Sequence, residues 1–153
     1  MKIVLGHGNP KAKVMLIGEA PGAQEVKHGK PFVGPAGKWL DKILKKNKIN
    51  REKLYITNVV KVKTPDNRRP TEKEIKQWLP ILISEIKKVK PKIIVLLGES
   101  ASMAVLGKKV KERGKIIPKG KIKYLITYHP SAARFTKIRK TIEEDIRKVR
   151  NPK

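Results

Sequence analysis

The 153 residues contain no cysteine. Disulfides, thiolate nucleophiles, zinc ribbons and cysteine-held iron–sulfur clusters are thereby excluded. Histidine is nearly as scarce. Three of them, widely scattered, do not assemble a metal site by themselves, so no metal is expected. No apolar run reaches membrane-spanning length, and the N-terminus lacks the apolar centre of a signal peptide. The expected setting is the cytoplasm, close to the nucleoid, with no membrane partner. Acidic residues are also few: 13 Asp and Glu against 38 Lys and Arg, a formal net charge of +25. Adaptation to heat enriches both signs. An imbalance this one-sided points instead to a polyanionic partner, bound by displacing the counterions of a phosphate backbone.

What is present is a globular chain. With 39% hydrophobic and 33% charged residues, positions 1–153 are expected to form a single domain, monomeric, around one core. Four apolar runs read as buried parallel strands: Val14–Ile17, Leu54–Thr57, Ile93–Leu97 and Tyr124–Thr127. Helical patterns lie between them. Ala36–Lys46 follows a first-turn proline. Thr71–Lys88 opens with a capping box, Thr71 and Glu74, and then sets Ile75, Trp78, Leu79, Leu82, Ile83 and Ile86 on one face. Ser100–Leu106 and Arg134–Arg150 complete the set, while 107–121 reads as a loop with room for a short extra strand or hairpin. The alternation predicts an α/β fold, a three-layer α/β/α sandwich on a central, mainly parallel four-stranded sheet.

In such a sheet the carboxyl ends of the strands share one edge, and ligands bind in the crevice outside it. The four runs end in Gly18-Glu19, Asn58, Gly98-Glu99 and His129-Pro130. The first is followed by a long Gly/Pro loop that carries Glu25 and presents Phe32 between Pro31 and Gly34. An Asn amide joins a donor and an acceptor on one plane and suits the edge of a nucleobase. An outward Phe32 offers a stacking surface. His129 can donate to a leaving oxygen, and carboxylates can position water or balance a developing cation. Together these suit an enzyme that flips a base and cuts its N-glycosidic bond.

The motifs themselves are GEAPG (18–22), GKPFVGPAGKWL (29–40), YITNVVK (55–61), PDNRRPTEKEI (65–75) and HPSAAR (129–134), with GNPKAKVM (8–15) leading into the first. Collinear from about Gly6 to Arg134, they resemble family 4 uracil-DNA glycosylases, the thermostable bacterial and archaeal type. The resemblance implies base-excision repair of uracil in DNA without lyase activity. It assigns Glu19 and His129 to catalysis, with Glu25 beside them near uracil C5. It assigns Ala20, Phe32 and Asn58 to the base, and Lys61, Arg68, Arg69, Ser131, Arg134 and Phe135 to the DNA track. Ala20 stands where related families keep an aspartate, and Arg134 or Phe135 stands where this family places a wedge residue. A glycosylase for another deaminated base such as hypoxanthine, and an inactive uracil-DNA-binding protein, are the alternative readings.

One departure is large. Members of this family hold a four-iron–four-sulfur cluster on four cysteines, two of them N-terminal to the stretch matched here. The other two fall at Val62 and Trp78, which carry no thiol. The cluster is therefore expected to be absent and its space refilled by apolar packing, leaving no cofactor. Trp39, Trp78 and Leu82 read as core residues, His28 has no assigned role, and the lysine runs read as solvated faces, some of them along the DNA track.

Overall fold

The strands are short and apolar on both faces because helices cover both sides of the sheet. A computed structural model describes residues 2–108 and 113–150. It contains β1 (His7–Gly8), β2 (Val14–Gly18), α1 (Ala23–His28), α2 (Pro35–Lys46), β3 (Tyr55–Asn58), α3 (Glu72–Val89), β4 (Ile93–Leu97), α4 (Glu99–Leu106), β5 (Ile116–Lys119), β6 (Ile122–Thr127) and α5 (Thr136–Arg147). The sheet runs β1-β3-β2-β4-β6-β5. Its central four strands are parallel and correspond to the four apolar runs, while β1 and β5 are added antiparallel at the edges. The expected four-stranded sheet is thus the core of a six-stranded one. β1 is two residues long, too short for any periodic signal. β5 joins β6 through the two-residue turn Gly120-Lys121, with Gly120 at φ 65°, where a glycine is favoured.

Alternate strand residues feed two cores. Val14, Leu16, Ile93, Val95, Leu97 and Leu125 pack with Leu40 and Leu44 of α2 and Ile142 and Ile146 of α5. Met15, Ile17, Ile94, Leu96 and Ile126 pack with Leu82 and Val89 of α3 and Ala101 of α4. Val62 and Trp78 both belong to this second apolar cluster. α3 begins at the expected capping box: the Glu74 amide donates to the Thr71 hydroxyl oxygen at 3.1 Å and the Thr71 amide to the Glu74 carboxylate at 2.9 Å. α5 starts two residues later than its sequence pattern. Pro130–Arg134 forms a 3-10 turn instead, and Phe135 is extended before the helix. No described helix is long and apolar enough to cross a membrane.

One polar cluster sits inside the second core. Lys61, wholly buried, pairs with Glu85 of α3 and donates to the Thr57 hydroxyl and the Asn58 carbonyl, both at 2.5 Å. The Tyr55 and Thr57 hydroxyls donate to the same carboxylate, at 2.8 and 2.9 Å. Burial pulls the Lys61 ammonium below its ordinary value, and the adjacent Glu85 charge works against that shift. The cluster ties α3 to the end of β3. Removing one member of a buried pair leaves the other charge uncompensated, so Lys61→Met is expected to cost about 3–5 kcal/mol of unfolding free energy in urea denaturation. Replacing the exposed Lys76 in the same way should change it by no more than about 0.5 kcal/mol.

Candidate active site

The last rung of the β2–β3 ladder pairs Gly18 with Asn58, and β4 ends opposite Thr127, two residues before His129. The strand-end residues are therefore brought together as their positions predict. Gly18 has a specific task. A Cβ there would press into the Phe32 ring and lie 2.6 Å from Asn58 Oδ1. Only a hydrogen leaves room for both side chains. Gly98 acts similarly on the other side: at φ 97° it lets His129 approach, its absent Cβ lying 3.2 Å from that of His129.

Asn58 is buried, and among the described residues its Oδ1 has no hydrogen-bond partner. A buried orphan acceptor costs on the order of 1–3 kcal/mol unless a ligand satisfies it. His129 is partly buried, with its ring centroid 5.6 Å from that of Phe32 and the planes tilted by 32°. The Ser131 amide donates to His129 Nδ1 at 3.1 Å, and the Ser131 hydroxyl oxygen lies 2.9 Å from the same atom. An Nδ1 that accepts leaves the proton on Nε2. Burial lowers the His129 pKa to about 4, so the ring is neutral at physiological pH.

The loop between β2 and α2 is more ordered than its Gly/Pro content suggests. It contains α1, which starts at Gly22 and stops at Gly29 with φ 70°. Glu25 closes it. One carboxylate oxygen accepts from the Gly22 amide at 2.9 Å; the other accepts from Val33 at 2.9 Å and Gly34 at 2.6 Å. Burial raises the Glu25 pKa, but the Gly34, Val33 and Gly22 amides outweigh it and hold the carboxyl below its usual range. Both oxygens are engaged by the backbone, so Glu25 clamps the loop.

Phe32 also differs from expectation. It does not project outward: it is 5% exposed, lies against Gly18 and has φ 53°, an uncommon conformation for a bulky residue. Arg51 holds it there. The guanidinium donates to the Pro31 and Phe32 carbonyls at 2.7 and 2.8 Å and is itself paired with Asp41 at 2.7 Å. Gly37 lets α2 pass against the Phe32 backbone, since a Cβ there would overlap it. Sequence reading gave no role to Arg51 or Asp41; the only available cue was a positive charge following the α2 turn.

Glu19 accepts from the buried Ser100 hydroxyl at 2.9 Å, with Arg69 at 4.0 Å. Ser100, in the first turn of α4, is a second functional candidate that the sequence did not disclose. A cleft of about 440 Å³ is lined by Glu19, Ala20, Arg69, Glu99, Tyr128 and His129, among others. The exposed Arg113 guanidinium stacks over Tyr128 at 4.3 Å on its wall. A second cleft, about 660 Å³, is bounded by Ala20, Glu25, Trp39, His129 and Ser131.

The expected DNA contacts divide. Arg68 and Arg69 are exposed beside the site, yet each has a carboxylate partner: Arg68 with Glu74 at 2.6 Å, Arg69 with Glu99 at 3.0 Å. Ser131 is exposed next to His129, and Phe135 is 51% exposed at the start of α5. The side chain of Arg134 lies outside the described residues. Lys61 is a correction. Its ammonium is sealed in the core against Glu85 and cannot meet a phosphate.

Two substitutions test this geometry. Gly18→Ala should cost about 1–3 kcal/mol of stability by overpacking the buried contact with Phe32 and Asn58, and should abolish ligand binding at the site, measured by titration of the still-folded protein with free uracil. Arg51→Ala releases the strained Phe32 turn; a displacement near 1 Å at a reacting centre costs on the order of 100-fold in rate, which single-turnover kinetics would register as a loss in kcat/KM.

The pattern describing the Uracil DNA glycosylase superfamily matches residues 5–150. A Type-4 uracil-DNA glycosylase of Sulfurisphaera tokodaii is 44% identical, covering 96% of this chain and 73% of its own. Those of Saccharolobus solfataricus and Thermotoga maritima are 43% and 41% identical, covering 96% and 97% of this chain and 74% and 82% of theirs. With the family's motifs in order at the carboxyl edge of a parallel sheet, the chain belongs to the uracil DNA glycosylase superfamily, among its type-4 members.

Proposed function

We propose that this protein is a monofunctional uracil-DNA glycosylase, acting as a single monomeric domain on DNA in the cytoplasm. It hydrolyses the C1′–N1 bond of deoxyuridine and yields uracil and an abasic site. The observation that carries this reading is the unsatisfied acceptor of Asn58 at the strand edge. Uracil presents an N3–H that Oδ1 can accept and an O4 to which the amide can donate, whereas cytosine presents an acceptor at N3 and donors at N4. Oδ1 is sealed from water, so the base reaches it only after the Phe32 ring shifts from Gly18 and stacks on the incoming face.

The chemistry follows from charge. As the C1′–N1 bond lengthens, negative charge gathers on uracil O2 and positive charge on the deoxyribose. The neutral His129 donates Nε2–H to O2, which favours departure of the base as an anion. Glu19, held by Ser100, faces the cationic sugar and orients the water that adds to C1′ while its proton passes to solvent. Ala20 supplies no polar group, and Glu25 fixes the loop without touching the reacting atoms. Lys61 is unavailable as a Schiff-base nucleophile because its ammonium is paired in the core. Arg69, Ser131 and Phe135 line the path of the strand, Phe135 filling the space left by the extruded base.

The cluster of the family does not fit these residues. Val62 and Trp78 occupy its two matched ligand positions as part of an apolar core cluster, and neither can bind iron. No step here is routed through it.

A uracil-containing oligonucleotide tests the reading directly: alkali-labile sites should appear with wild type, while His129→Ala is expected to lose about 10²–10³-fold in rate, the cost of one donor to a developing oxyanion. DNA binding should persist in that variant. Equal excision of hypoxanthine or thymine in parallel duplexes would overturn the choice of uracil. The pH profile adds a second check. Protonation of His129 would put a proton on Nδ1, break the bond it accepts from the Ser131 amide and so release the ring from its donating position, and its pKa is lowered to about 4. The rate should therefore hold level down to about pH 5 and fall below it. A fall centred near about 6.5, the ordinary imidazole value, would contradict a buried neutral ring.

A further inference from the structure

On the active-site edge Arg68 and Arg69 already face carboxylates, and the exposed Arg113 is stacked on Tyr128. The opposite edge, where the parallel strands begin, is different. A cleft of about 530 Å³ there is lined by Lys11, Lys13, Lys48, Lys53 and Arg150 together with Asn9 and Asn50, and no carboxylate lines it. All five cations are exposed, and among the described residues none is paired with Asp or Glu. The Oδ1 atoms of Asn9 and Asn50 are taken by the Lys11 and Glu52 amides, both at 2.9 Å, which leaves their NH2 groups as the unengaged donors.

The lysines continue past the cleft in a row fixed by the sheet. The Lys92 amide donates to the Lys13 carbonyl at 2.8 Å and the Lys123 amide to the Lys92 carbonyl at 3.0 Å. The pairing of Met15 with Tyr55 sets Lys53 level with Lys13. Lys53, Lys13, Lys92 and Lys123 thus stand on or just before four adjacent strands. At a strand spacing of about 4.8 Å the row spans about 14 Å, the axial rise of about four successive phosphates of one strand. The backbone sets the spacing of these four positions, with Lys123 one register step further in, level with Ile93.

We propose that this edge binds the sugar–phosphate backbone of a second nucleic-acid segment, so that one molecule holds two duplexes at opposite poles of its sheet. It rests on the glycosylase reading only in taking nucleic acid as the polyanion.

The test uses the triple variant Lys13→Gln/Lys53→Gln/Lys92→Gln, which leaves every site residue in place. One uracil-free duplex is fixed to beads and a second carries a fluorophore. Wild type should retain the fluorescent duplex on the beads. The variant should lose that retention, and its log–log salt slope for the second duplex should fall by about 3, one counterion for each lysine removed. Single-turnover excision from a short uracil duplex should stay at the wild-type rate. Equal retention by the variant overturns the proposal, as does a wild type that never carries two duplexes or that holds polyglutamate in preference. A variant slowed in excision as much as in retention places the row on the substrate track and overturns it too. Failure of wild type to excise uracil would strike the glycosylase reading instead, while the retention result would still stand or fall by itself.

Discussion

The pairing of Gly18 with Asn58 at the final rung of the β2–β3 ladder is the constraint on which the site depends. It sets the amide of one strand against the missing side chain of the next, and Phe32 occupies the space that glycine leaves. Every other feature supports that contact. Arg51 holds the Phe32 turn, Glu25 holds the loop that carries it, and Lys61 anchors the Asn58 carbonyl from the core side. The functional side chains are few, and their positions are imposed largely by hydrogen bonds to the backbone and by the buried Lys61–Glu85 pair. This is the usual condition for a preorganised site.

The two carboxylates of the first loop show how environment divides equivalent groups. Glu25 meets three amide N–H groups, which hold it as an anion and engage both of its oxygens with the loop backbone. Glu19 has one hydroxyl donor and a distant guanidinium, so part of its acceptor capacity remains for water. His129 completes the contrast. The Ser131 amide decides its tautomer and burial removes its charge, which makes it a donor suited to an anion that forms only during the reaction.

Much of this was legible in the sequence. The four parallel strands, the α3 capping box and the convergence of Glu19, Asn58 and His129 all followed from apolar runs and their terminal residues. Three things were not. β1 is too short to leave a pattern, and α1 was concealed because glycine, a weak signal for a helix start, serves as its N-cap. The burial of Lys61 was hidden because its partner is 24 residues away on another element. A lysine directly after the apolar pair Val59-Val60 reads as surface until a carboxylate arrives from α3. The same holds for Ser100 and Arg51, whose roles exist only in three dimensions.

The apolar cluster holding Val62 and Trp78 bears on where such a protein can work. Within these 153 residues there is no thiol to oxidise, and of the three methionines Met15 is fully enclosed. Oxidants that damage bases also attack thiolates and iron clusters. Within these residues a core closed by valine and tryptophan gives them neither target.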